Sequence, residues 1–141
     1  MAAPPDTLHV RGETAELARV RRRVAAWAEA AGLDDRAGRR LQLAVDETVA
    51  NAIEHGLGER GRRVVVRGAP GRGGLTVTVR YRGARFDPTT APAAPPGDAL
   101  GRRAAHGYGL HLIRRLVDEV AYRWDDGTNE VRLTARRPRT A

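Results

Sequence analysis

LQLAVDETVANAIEHG, residues Leu41–Gly56, is the stretch on which the reading of the fold turns. Leu41, Ala44, Val45, Thr48 and Ala52 recur at helical spacing, and Leu43, Val49, Ala50 and Ile53 fill most of the remaining circumference. A helix apolar on most sides is buried on most sides. Glu47 and Asn51 nevertheless sit within it, one turn apart on one face. A carboxylate and an amide in such surroundings are costly unless something polar meets them, whether a side chain, a water or a ligand.

On the N-terminal side, Thr7–Val10 alternates polar and apolar residues and reads as a short edge strand, broken by Gly12-Glu13. Thr14 is placed to cap a helix over Ala15–Ala31, whose apolar stripe is Leu17, Val20, Val24, Trp27 and Ala28. Gly32 stops it, and Asp34 or Asp35 caps the helix that carries the opening stretch, where an acidic residue complements the helix dipole.

On the C-terminal side, Arg62–Gly68 and Leu75–Tyr81 alternate as two strands joined by a turn at APGRGG, an antiparallel hairpin. Val64, Val66, Val77 and Val79 face inward. Pro88–Gly101, PTTAPAAPPGDALG, is a Pro- and Ala-rich loop of a length that is usually functional or disordered. Gly107 and Gly109 precede a short helix, Leu110–Val117, with Leu110, Ile113, Leu116 and Val117 on its inner side. Val120–Trp124 and Glu130–Ala135 form a second hairpin about DDGTN. Residues 1–6 and 137–141 read as loose ends. The order predicts a single α+β domain over 1–141, a two-layer sandwich with a mixed, mostly antiparallel sheet and helices on one face.

With 141 residues the chain has room for one domain with a real core. No run approaches the ~18 continuous apolar residues of a membrane span. The N-terminus lacks a basic region followed by an apolar one, so no secretory signal is read. The absence of cysteine excludes disulfides, thiolate metal sites and a cysteine nucleophile. These features predict a soluble cytoplasmic protein. The net charge is +8 and every cation is Arg. An anionic partner is one reading; an Arg- and Ala-biased, GC-rich genome is the other. The arginines are scattered and aromatics make up only 4% of the chain, which leaves few stacking platforms, so nucleic acid is disfavoured.

Three blocks carry chemistry. Glu47-x-x-x-Asn51 aims two oxygens at one point, and Asn offers a neutral hard oxygen suited to Mg²⁺. Gly107-Tyr108-Gly109-Leu110 enters a helix, where backbone N–H groups approach phosphate oxygens. YRGARFDP, Tyr81–Pro88, leaves a strand end. Each block alone is a weak signal. In this order and at these separations the chain resembles the anti-sigma regulatory factors with serine kinase activity, members of the bacterial Bergerat-fold, histidine-kinase-like ATPases. The resemblance spans about residues 7–136 and rests on LAVDETVANAIEHG together with GYGLHLIRRLVDEVAYRW.

The resemblance implies ATP and Mg²⁺ as cofactors, with Asn51 coordinating Mg²⁺ and Glu47 acting as general base toward a serine hydroxyl of an antagonist protein. His55 matches a position beside the phosphates. Gly107, Tyr108, Gly109 and Leu110 match the phosphate cradle, Gly83 the first glycine of the middle box, and residues 88–101 the ATP lid. It implies a sigma factor and an antagonist as partners, and a homodimer through the N-terminal region. Leu8, Val10, Leu17 and Val20 suit either that surface or the core.

The middle box departs from the family pattern, D-x-G-x-G. Tyr81 stands where an Asp recognises the adenine amino group, and Arg85 replaces the second glycine. Losing a hydrogen bond to a charged group costs about 1.5–3 kcal/mol, roughly 10- to 100-fold in affinity. Tyr81 offers a hydroxyl or a ring contact instead, and Arg85 a phosphate contact or a filled pocket mouth; Asp87 lies beyond the box. The expected function is therefore an ATP-binding anti-sigma factor with serine/threonine kinase activity. The alternative is a non-catalytic sigma-factor- or antagonist-binding module with a degenerate nucleotide site.

Overall fold

The computed structural model describes residues 4–56, 63–90 and 113–138. Its strands are β1 (Asp6–Arg11), β2 (Arg63–Gly71), β3 (Gly74–Arg82), β4 (Glu119–Asp125) and β5 (Thr128–Arg136), and its long helices are α1 (Leu17–Ala30) and α2 (Asp35–Asn51). One sheet takes the order β1-β2-β3-β5-β4. Every pairing is antiparallel, so the expected mixed sheet is corrected among the described strands. The second hairpin docks through β5 rather than β4, and that places an antiparallel neighbour beside β3.

Strand alternation sorts the two faces. Leu8, Val10, Val64, Val66, Leu75, Val77, Val79, Tyr81, Val131, Leu133 and Ala135 are buried on the inner face, against Val20, Val24 and Trp27 of α1 and Leu41, Ala44, Val45 and Val49 of α2. Leu8, Val10 and Val20 are thus intramolecular core rather than a surface for a second copy, and Leu17 packs partly buried against it. Residues 113–116 are helical, with Ile113 buried and Leu116 and Val117 packed on the core. Leu110 lies outside the described residues.

Both turns are tighter than the sequence suggests. The ladder of the first hairpin runs through Ala69, Pro70 and Gly71 to the Gly71–Gly74 rung, so APGRGG contributes only Arg72 and Gly73 to the turn. In the second, Asp126 and Gly127 take φ of 49° and 79°. This is the doubly left-handed pair whose twist matches that of the flanking strands.

Helix ends follow their cap chemistry. Thr14 does not cap α1. Thr14–Glu16 forms a 3₁₀ turn with no side-chain cap, closed by Glu16 N–H donating to Glu13 O at 3.0 Å. Gly32, at φ 78°, ends α1. Its N–H donates to Glu29 O and that of Leu33 to Ala28 O, the paired bonds of a Schellman motif. Asp34 caps α2, accepting from Ala37 N–H at 2.7 Å. Arg21 forks onto Asp46 at 2.8 and 3.1 Å and ties the two helices together.

Asp6 and Arg137, expected in loose ends, are both tied to the sheet. Asp6 is the first residue of β1, and its carboxylate accepts from Trp27 Nε1 and Arg23, each at 2.8 Å. Arg137 N–H donates to Gly73 O at 2.6 Å. Asp6 pairs with Gly68 across the ladder, and the Trp27 ring lies on that rung. A Cβ built on Gly68 would stand 2.4 Å from Trp27 Cδ2. Gly68 is therefore required by a close approach.

Gly68→Ala is expected to cost about 1–3 kcal/mol through overpacking, read by urea unfolding. The same anchor sets a pH dependence. The bonds from Trp27 and Arg23 hold the Asp6 carboxyl below its ordinary 3.8. Its contribution is thus present above pH 3.8 and is lost as pH falls through the lowered folded value. The melting-temperature gap between wild type and Asp6→Asn should shrink along that acid limb.

Candidate functional site

The helix α2 positions Glu47 and Asn51 on successive turns, and the two residues differ in burial. Glu47 is half-buried. Asn51 is 2% exposed, and both its Oδ1 and Nδ2 are buried without a hydrogen-bond partner. Thr48, equally buried, satisfies its hydroxyl on Ala44 O at 2.7 Å. The helix thus tolerates polar atoms where it can bond them, and leaves only Asn51 unmet among the described residues. An orphaned amide is a 1–3 kcal/mol liability, about the cost for which a native fold needs a reason.

Immediately after Asn51 the helix widens into a π turn, Ala52–Gly56. Such turns are rare and concentrate at functional sites. His55 falls in this turn. Among the described residues there is no cluster of three His, Cys, Asp or Glu side chains. A cation here would rest on the Asn51 oxygen and on oxygens of a ligand or water, the manner in which Mg²⁺ is commonly held.

The segment after β3 carries the other expected residues. Tyr81 is 3% exposed on the inner face, directly opposite Asn129 of β5. Burial, then the neighbouring Tyr122, pushes its hydroxyl well above the ordinary phenol value. Tyr81 is therefore a neutral hydroxyl, not a stand-in for a carboxylate. Gly83 N–H donates to Gly127 O at 3.0 Å, which joins the segment to the β4–β5 turn. Arg85 is exposed. Asp87 caps its own turn, accepting from the Thr89 N–H at 2.8 Å and hydroxyl at 2.6 Å.

Asn129, which the sequence reading passed over as part of a turn, organises this segment. It is fully buried. Its Nδ2 donates to Ala84 O at 2.9 Å and Gly83 O at 3.4 Å, and its Oδ1 accepts from Phe86 N–H at 3.0 Å and from the Tyr122 hydroxyl. Trp124 Nε1 adds a bond to Gly83 O at 3.2 Å. Burial raises the Tyr122 hydroxyl, with the Phe86 N–H opposing. A signal was present: Asn129, Val131, Leu133 and Ala135 share one alternation, which puts an amide on a core position.

The structure thus places Asn51 with Glu47 on one helix, and Tyr81, Gly83 and Arg85 along one strand exit held by Asn129. Gly107, Tyr108, Gly109 and Leu110, with most of residues 88–101, lie outside the described residues. No helix among the described residues is long and apolar enough to cross a membrane.

An antiparallel sheet backed by two helices, one of them carrying a desolvated asparagine at a π turn, defines an α+β sandwich with a polar site on its helical side. The chain belongs to the histidine kinase-like ATPase domain family, whose profile matches residues 10–135. It is 30% identical to the serine/threonine-protein kinase BtrW of Bordetella bronchiseptica, over 77% of this chain and 80% of that protein. The fold matches the crystal structure of the RsbU and RsbW domains of Rv1364c from Mycobacterium tuberculosis, with a TM-score of 0.68 at 22% identity. That match covers 99% of this chain, which spans 34% of the mycobacterial one. It also matches the histidine kinase domain of the blue-light activated kinase EL346 from Erythrobacter litoralis, with a TM-score of 0.53 at 20% identity, over 96% of this chain and 65% of that one. The family is that of the kinase-like ATPases of the anti-sigma-factor type.

If the Asn51 amide is retained for a ligand, its replacement by an apolar residue of similar size should stabilise the ligand-free protein. Asn51→Leu is expected to gain about 1–3 kcal/mol in thermal or urea unfolding. Asn129→Ala, which strands its bonded groups, should lose at least about 2 kcal/mol in the same assay.

Proposed function

We propose that this protein is an ATP- and Mg²⁺-dependent regulator of transcription that binds a sigma factor and phosphorylates a serine of an antagonist protein. The observation that carries the reading is Asn51, an amide with two unmet polar atoms at the end of a buried helix. Membership of the ATPase family and likeness to a named serine/threonine-protein kinase support it.

In this reading, Asn51 would supply an oxygen to Mg²⁺, which when bound would provide neutralisation of the phosphate charge. Glu47, one turn earlier and half-buried, accepts the proton of the serine hydroxyl as its oxygen bonds to the γ-phosphorus and ADP leaves. The fixed helix holds both groups in one orientation, and positioning supplies much of the catalysis in phosphoryl transfer. Gly107, Tyr108, Gly109 and Leu110 are assigned to the phosphates, with His55 beside them. Tyr81, Gly83 and Arg85 line the base end, where Asn129 fixes the backbone. The protein acts in the bacterial cytoplasm and pairs as a homodimer.

A second reading, a binding module without turnover, is favoured by Tyr81. A neutral, buried phenol in place of the base-recognising carboxylate weakens adenine selection.

Calorimetry decides the nucleotide step. ATP with Mg²⁺ should bind the wild type with measurable heat and raise its melting temperature, and Asn51→Ala should lose both. Absence of heat and of stabilisation at millimolar ATP would sink the proposal. Glu47→Gln is expected to keep ATP binding while phosphate transfer to an antagonist falls by about 10²-fold or more. Unchanged nucleotide binding with no transfer even by wild type would establish the second reading.

A further inference from the structure

The face of the sheet turned away from α1 and α2 is cationic to a degree the fold does not need. Arg11 on β1, Arg63 and Arg67 on β2, Arg82 on β3 and Arg132 on β5 occupy outward positions of their strands and are exposed. None forms an ion pair among the described residues. Arg11 and Arg63 stand directly opposite one another in the ladder, an arrangement that is destabilising when nothing anionic lies between. The central carboxylate on this face is Glu130, and it is shared. Arg80 lies 3.6 Å from one of its oxygens and Arg123 3.5 Å from the other.

The same face holds a depression of about 570 Å³, lined by the outward-facing Arg63, Val65, Arg80, Arg82 and Thr128 and bordered by Tyr81, whose side chain is buried on the inner face. Half-buried Val65, directly opposite Arg80 in the ladder, is the aliphatic residue of this lining, and the alkyl stems of arginines beside it can add apolar surface while their charged heads keep to water. A pocket of this make suits one apolar side chain flanked by carboxylates.

We propose that the outer sheet face is a docking surface for an acidic segment of a partner protein, anchored by one apolar residue in the Val65 depression. Charge complementarity selects this occupant. A second copy seated here by two-fold symmetry would set arginine against arginine. Single-stranded nucleic acid would find no Phe, Tyr or Trp directed outward from the described strands on which to stack. The face lies on the opposite side of the sheet from Asn51 and Glu47, so the proposal does not depend on the nucleotide reading.

The test is fluorescence anisotropy with the full chain and a fluorescein-labelled Glu-Glu-Leu-Glu-Glu peptide. Binding is expected, weakening about tenfold or more between ~0.05 and ~0.5 M NaCl. Arg63→Glu/Arg82→Glu should lose about tenfold or more, and Arg63→Gln/Arg82→Gln a smaller share in the same direction. Arg36→Glu, on the helical layer and equal in charge change to the double Gln variant, should stay within about twofold. Replacing the peptide's leucine by serine should also weaken binding. The proposal is overturned if the peptide does not bind, or if neither double variant alters its affinity. It is equally overturned if a single-stranded oligonucleotide displaces the peptide with higher affinity. Sedimentation velocity supplies the last arm: a wild-type dimer that either double variant dissociates would assign the face to copies of this chain instead.

Discussion

Asn51 is buried where an apolar residue would serve stability better, and much else follows from that constraint. To desolvate the amide, α2 must be enclosed on the sheet side by β3 and β5 and flanked by α1. That enclosure requires a continuous apolar inner face, which the alternation of β2, β3 and β5 supplies. It also requires the two helices to keep their relative position, and the Arg21–Asp46 fork fixes this from the rim. Burial then does chemical work. A polar atom in low-dielectric surroundings interacts far more strongly with an arriving cation than the same atom in water.

Two asparagines on the inner side of one sandwich show how the same side chain serves opposite ends. Asn129 is saturated: its donors and acceptor are committed to the main chain of residues 83–86 and to Tyr122, and it rigidifies a strand exit. Asn51 is unsatisfied and is held ready. The contrast separates a structural polar group from a candidate functional one without recourse to residue type.

The helical core was legible because Leu41, Ala44, Val45, Thr48 and Ala52 keep helical spacing and Gly32 and Asp34 mark the boundary before them. The sheet's inner face was legible for the matching reason, period two in Val64, Val66, Val77 and Val79. Glu47 and Asn51 stood out as polar breaks in an apolar helix. Thr14 was misread because capping depends on the backbone angles of its neighbours, and a 3₁₀ turn displaced the helix start. Asn129 was missed because its main-chain bonds go to atoms 43 to 46 positions away, and main-chain donors and acceptors leave no trace in a side-chain pattern. The mixed sheet was misread because the sequence does not record which strand of the second hairpin docks.

Because β1 forms one edge of the sheet, it bears on self-assembly. Edge strands are templates for further strands, and natural folds limit them. This one offers only Asp6–Arg11. The preceding residues, Pro4 and Pro5, carry no backbone N–H to donate, so a growing ladder would lose its register of bonds as it passed Asp6. The charged side chains of Asp6 and Arg11 close the template at both ends. A brief and electrostatically bounded edge of this kind disfavours runaway strand addition, even in a chain whose inner sheet residues are rich in valine.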